Sequence, residues 1–200
     1  MELTLPGSPV CEHAREVATA YSSPSLLNHS LRVYAWAAAL GGVHHVDFDP
    51  ELLFVAAMLH DVGLAAVFDS HTEPFEVAGG HVGWVFAAGA GWAPQRRARL
   101  VEVIVRHMQA DVDPAEDPEG FLLCRAAAAD IAGRGVADLP ADFRAAVLER
   151  YPRLDLVTEF LRCFGDQAAR KPESLAAAAM RNDLATRMAA NPLEDRPVTG

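Results

Sequence analysis

Lysine is almost absent from this chain: Lys171 is the only one among 17 basic residues, the rest being arginine. It lies in a polar stretch before Pro172, so neither a lysine Schiff base nor a phosphate-loop lysine has a credible candidate. Positive charge is scarce as well. A formal net charge of −10 and an isoelectric point near 5.2 argue against a nucleic-acid polymer or an anionic membrane as partner, though not against a small anionic substrate held at a metal. The three cysteines, Cys11, Cys124 and Cys163, are far apart and form no C-x-x-C pair, which fits free thiols in a reducing compartment better than a disulfide framework or a cysteine zinc site. No apolar run approaches the ~18 residues needed to span a bilayer, and "MELTLPGSPV" lacks the basic segment and apolar core of a secretory signal. The expected protein is soluble and cytoplasmic, with a small-molecule substrate and with homo-oligomerisation left open.

What is present is helical patterning almost throughout. A first helix is expected at about 10–21. "SSPSLLNHSLRVYAWAAALGG" supplies a serine cap, Pro24 in the first turn and a Gly41-Gly42 stop. "FDPELLFVAAMLHDVG" opens on Asp49 and Pro50 and closes at Gly63. Further helices are expected after Glu73-Pro74, from Pro94, and through "PEGFLLCRAAAADIAGRG" to Gly133 and Gly135. Beyond them, about 140–151, 155–171 and 173–190 read as three more, punctuated by Pro140, Pro152 and Pro172. The expected architecture is all-α: one domain over 1–190, with a core at about 24–135, C-terminal helices at about 140–190, and a disordered tail at 191–200. The polar loops are 68–76, which directly follows His60-Asp61, and 110–120.

"MLHDVGL" (58–64) ends an apolar helix on a histidine and an aspartate. One reading is a helix C-terminus, with His60 against the last carbonyls and Gly63 as the residue beyond the cap; the other is a metal site. The doublet alone does not choose. His29 and Asp130, however, also sit on helices in apolar company. Burying such groups costs several kcal/mol unless they are paired or coordinated, and a divalent metal would offset that cost for all four.

The order His29, then His60-Asp61, then Asp130 resembles the HD superfamily of metal-dependent hydrolases, and "FDPELLFVAAMLHDVGL" is close to a common form of the doublet's surroundings there. The resemblance spans about residues 24–135 and implies an HD-type helical bundle with His29, His60, Asp61 and Asp130 as metal ligands. Two imidazoles and two carboxylates suit one divalent transition metal, zinc first, with iron or manganese as alternatives. Such an ion lowers the pKa of a bound water towards neutrality and makes it a nucleophile.

Many two-metal members of the superfamily carry a histidine immediately before a glutamate in the helix after the doublet. Here the glutamate is Glu76 and the preceding residue is Phe75, which points to one metal rather than two; His81, six residues after Phe75, falls on a different part of the helix. "FEVAGG" resembles the cyanamide hydratase-like branch, which implies water addition to a small nitrile-type substrate. In that reading Asp61, His107 and Glu76 carry the chemistry: His107 orients substrate or shuttles a proton at its unperturbed pKa, and Glu76 is a second acid-base group. Arg32, Phe75, His81 and Trp84 are candidate substrate contacts, with Phe68 and Phe86 as further apolar walls. The alternative enzyme is an HD phosphohydrolase acting on a nucleotide or similar monoester, with Arg32 and Arg106 as its cationic groups. A second alternative is a metal-stabilised domain that binds a ligand or partner without turnover. The helices after residue 140 add little chemistry in any of these readings.

Overall fold

Four helices begin where the chain places a capping side chain directly before proline. Ser8, Ser23, Asp49 and Asp117 each accept from a backbone N–H of the first turn, and Pro9, Pro24, Pro50 and Pro118 follow them. These side chains satisfy donors that the helix itself leaves unpaired. The computed structural model describes residues 4–109 and 112–194. Its helices are α1 (Pro9–Tyr21), α2 (Pro24–His44), α3 (Pro50–Leu59), α4 (Phe75–Gly89), α5 (Pro94–Arg106), α6 (Pro118–Ala132), α7 (Ala141–Arg150), α8 (Leu156–Arg170), α9 (Leu175–Arg181) and α10 (Leu184–Ala189). Among the described residues there is no strand, so the all-α expectation holds.

Three boundaries differ from the sequence reading. α2 runs through Gly41-Gly42 and stops only at His45, whose φ of 54° is left-handed. Gly41 is glycine for another reason: a Cβ there would lie 2.6 Å from the Phe48 ring. The single helix expected at 173–190 is broken between α9 and α10 at Asp183, which has φ 54°. The third concerns the tail. Asn191 and Leu193 are buried, and Asn191 Nδ2 donates to the carbonyl of Asp130 at 2.7 Å. Residues 191–194 therefore pack on the domain, while 195–200 lie outside the described residues.

Two apolar cores set the position of the site. The larger gathers α1, α2, α3, α5, α6 and α7 around Trp36, Phe54, Leu100 and Leu122. The smaller joins the starts of α2 and α4 to α8, α9 and α10 through Leu26, Phe75, Phe160, Phe164 and Met188. α3 passes into a 3₁₀ turn at Val62–Leu64, where the chain crosses from one core towards the other. Gly63 is not a left-handed cap: a Cβ there would sit 2.0 Å from the carbonyl oxygen of Phe75 and 2.9 Å from the amide of Gly79. Its role is to let α4 lie against the turn that carries the doublet. Gly63→Ala is expected to lower stability by at least about 2 kcal/mol, because the obstacle is backbone that no rotamer change can clear. In thermal unfolding that is a drop of roughly 4–8 °C.

Candidate metal centre

α3 and α5 end in the same way. His60 follows the last residue of α3 and its Nδ1 donates to the carbonyl of Ala57 at 2.8 Å. His107 follows the last residue of α5 and its Nδ1 donates to the carbonyl of Ile104. In each case the last turn of the helix supplies a carbonyl three residues back that accepts from the ring, which fixes the imidazole and leaves Nε2 facing inward. Helix termination also lets neighbours converge: His60 keeps helical dihedrals, but Asp61 turns to φ −102°, ψ 5°, and its carboxylate reaches the same point as the imidazole beside it.

That point is shared with α2. Nε2 of His29 lies 3.2 Å from Nε2 of His60, and Oδ2 of Asp61 lies 3.3 Å and 3.2 Å from those two nitrogens. All three residues are buried, and their donor atoms are close enough to share one cation. Oδ2 of Asp61 is a buried oxygen without a hydrogen-bond donor among the described residues. An unpaired carboxylate oxygen facing two imidazole nitrogens fits the requirement of a divalent cation. Burial works against the ionised form of Asp61, but His60 and His29 outweigh it and hold the carboxyl well below its usual range.

Asp130 stands elsewhere than the sequence reading placed it. Instead of joining the three donors, its Oδ2 accepts from Nδ1 of His29 at 2.7 Å, on the rear of that ring. Both its oxygens are further engaged: Nε and Nη2 of Arg32 donate to Oδ1 and Oδ2 at 2.8 Å each, and Nε1 of Trp36 donates to Oδ1 at 2.8 Å. Arg153 donates to its backbone carbonyl at 2.7 Å. Burial opposes its ionisation, but Arg32 and His29 keep the carboxyl well below its usual range. The result is a carboxylate–histidine pair behind the centre, which fixes the ring and its tautomer. For His29, burial disfavours the cation, yet the hydrogen bond to Asp130 and the neighbouring Asp61 carboxylate prevail and raise its pKa.

His107 faces the centre from the opposite side, its Nε2 3.6 Å from Oδ1 of Asp61. Its pKa is not the unperturbed one expected from sequence: burial, aided by His60, pushes it down to about 4. The ring is therefore neutral at physiological pH, with a lone pair on Nε2.

The other expected site residues fall away from this point. Arg32 is fully buried and spent on Asp130 and on the carbonyls of Tyr151 and Pro152. Arg106 pairs with Asp117 at 2.9 Å. Phe75 is buried behind His107, ring centroids 5.7 Å apart. His81 is exposed and Trp84 is 39% exposed. None of these lines the cavity that opens from the centre, and neither does Glu76. Glu76 is buried with Oε2 unpaired, and burial raises its pKa. Phe68 packs on Tyr21. The 68–76 loop is pinned to α8, where Gln167 and Lys171 donate to Oδ1 of Asp69 at 2.9 and 3.0 Å. Of the 110–120 loop, 110 and 111 lie outside the described residues.

The cavity itself, of about 200 Å³, runs from His29, His60, Asp61 and His107 between α6, α8, α9 and α10. The sequence reading did not find its walls. Phe160 and Phe164 of α8 stack with centroids 4.3 Å apart, and Phe160 meets the His29 ring edge-on at 5.9 Å. The spacing of Phe160 and Phe164, one helical turn, is the signal that sequence offers. The helices after residue 140 thus supply a wall of the site.

An all-helical domain with a buried His-His-Asp group at the floor of a cavity has the arrangement of a metal-binding centre of the histidine–aspartate type. Residues 26–131 match the HD domain family, over half of the chain, and the protein belongs to that family. Over 171 residues it is 29% identical to two proteins of Saccharomyces cerevisiae, cyanamide hydratase DDI2 and cyanamide hydratase DDI3; the overlap covers 84% of this chain and 76% of each relative. Family and site together support a metal-dependent hydrolase or hydratase. Among the described residues, no helix is long and apolar enough to cross a membrane.

Proposed function

We propose that the protein is a hydratase that adds water across the carbon–nitrogen triple bond of a nitrile-type substrate such as cyanamide, as the names of its two relatives suggest. The observation that carries this reading is the convergence of His29, His60 and Asp61 at the inner end of a cavity with mostly apolar walls. Arg32 and Arg106, the arginines the sequence suggested for a phosphate substrate, are occupied by Asp130 and Asp117; Arg134 and Arg187 are the arginines that line the cavity. A neutral substrate requires no cationic partner.

His29, His60 and Asp61 would hold one divalent ion, zinc first with iron or manganese as alternatives; when bound, it supplies Lewis acidity and lowers the pKa of water at the site. The chain's own groups do the rest. Ala57 and Asp130 hold the two imidazoles with Nε2 forward. Nε2 of His107, neutral and acting as an acceptor, takes a proton from the incoming water and returns it to the substrate nitrogen. The water oxygen bonds to the nitrile carbon and both water protons end on nitrogen after tautomerisation, so cyanamide becomes urea without oxidation or reduction. Phe160 and Phe164 keep competing water from the carbon.

Purified protein is expected to contain one transition-metal ion per chain by elemental mass spectrometry. It should convert cyanamide to urea, lose that activity on chelation and regain it with zinc. Absence of metal before and after reconstitution would remove the centre. Release of phosphate from nucleoside monophosphates in place of urea formation would favour the phosphohydrolase.

A further inference from the structure

We infer that the preferred substrate carries, beside its nitrile or cyanamide group, an apolar substituent about the size of a phenyl ring. This inference rests on the hydratase reading of the same site and specifies its substrate class. Cyanamide has three heavy atoms and occupies roughly the space of two waters, about 60 Å³. The cavity is about 200 Å³, and an apolar cavity of about 150 Å³ suffices to bind benzene. A substrate no larger than cyanamide would leave most of that space to water, facing walls that offer it few hydrogen bonds.

The distribution of side chains says what kind of group fills the remainder. The polar side chains of the lining are the metal-binding group, His107, Gln109, Cys124, Arg134 and Arg187. The rest is apolar and includes Phe160, Phe164, Ile131, Leu184, Ala128 and Ala179. The alanines create the width and the stacked phenylalanines a flat side. A ring entering here rests on the Phe160–Phe164 stack, which itself abuts His29, and so directs its nitrile carbon to the floor. Offset or edge-on contact with that stack adds to simple area burial. Each methylene equivalent buried is worth about fourfold in affinity, so even partial burial of six ring carbons exceeds tenfold.

The test compares ligands that share one reacting group. With the metal-loaded enzyme, kcat/KM for phenylcyanamide is expected to exceed that for cyanamide at least tenfold. Independently of turnover, phenylurea, the hydration product, is expected to bind at least tenfold more tightly than urea by calorimetry. Ala128→Leu and, separately, Ala179→Leu should reduce both ratios at least fivefold by occupying the ring's place; two positions on different helices guard against a folding defect in one. Equal or weaker binding of phenylurea than urea, or ratios unmoved in both folded variants, would overturn the inference. If phenylurea binds as expected but neither cyanamide is hydrated, the hydratase reading fails while the ligand class of the cavity stands. If cyanamide is hydrated and phenylcyanamide is neither bound nor turned over, the reverse holds.

Discussion

Asp61→Ala is expected to lose the metal and to cut kcat/KM by more than roughly 100-fold, with His60→Ala doing the same. The scale follows from position. Groups that merely orient a ligand are worth about 10–100-fold in metal affinity or activity, and these two residues contribute the donor atoms themselves. The variants should nevertheless fold. Oδ2 of Asp61 has no hydrogen-bond donor to leave behind, and the metal-free protein confines a carboxylate among three histidines without ideal pairing. Circular dichroism should therefore stay native while elemental analysis after gel filtration reads little metal. Unit stoichiometry retained in both variants would place the ion elsewhere.

Asp130→Ala is expected to behave in the opposite sense, striking stability first. Arg32 is 0% exposed and makes both of its carboxylate bonds to Asp130; Trp36 donates to the same group. Removing one partner of a buried pair leaves an uncompensated charge, at a cost of about 3–5 kcal/mol, or roughly 6–20 °C in the unfolding midpoint. Asp130→Asn keeps the shape and tests the role more finely. As a positioning residue on His29, it should lower metal affinity by roughly 10–100-fold and leave an occupied centre at high metal concentration; a direct ligand would be lost outright. The pH dependence has a definite sign. The folded carboxyl titrates well below its usual value, so its contribution is complete above the unfolded pKa of about 3.9. It is lost as pH falls from there through the depressed folded value. Wild type should exceed Asp130→Asn in stability at neutral pH, and the gap should close only below about pH 4, measured by denaturant unfolding at stepped pH.

Local signals make much of this molecule legible in its sequence. Caps followed by proline start α2 and α3 at the expected residues, and the doublet with His29 identifies the three converging donors. The residues that mislead are those whose reasons lie across space. Gly41 reads as a stop because glycine often is one, but it answers to the Phe48 ring. Gly63 answers to the backbone of α4. Asp130 belongs to the right constellation, yet sequence order says nothing about which side of His29 it meets, and Arg32 and Arg153 settle that through contacts about a hundred and about twenty residues away. Phe75 and Trp84 stand near the doublet in the chain, whereas the aromatic wall of the cavity comes from Phe160 and Phe164, which only folding brings there.

Both α3 and α5 finish at the centre, each on a histidine bonded to its own last turn. A helix end of this polarity carries a partial negative charge, about half an electron, that fades within a turn. The backbone alone therefore builds an electrostatic filter at the floor of the cavity. It favours a divalent cation, whose charge in turn offsets that negative potential. The nitrile-type substrate proposed above is uncharged and would cross that field without a Coulombic gain for salt to screen, so its capture should vary little with ionic strength.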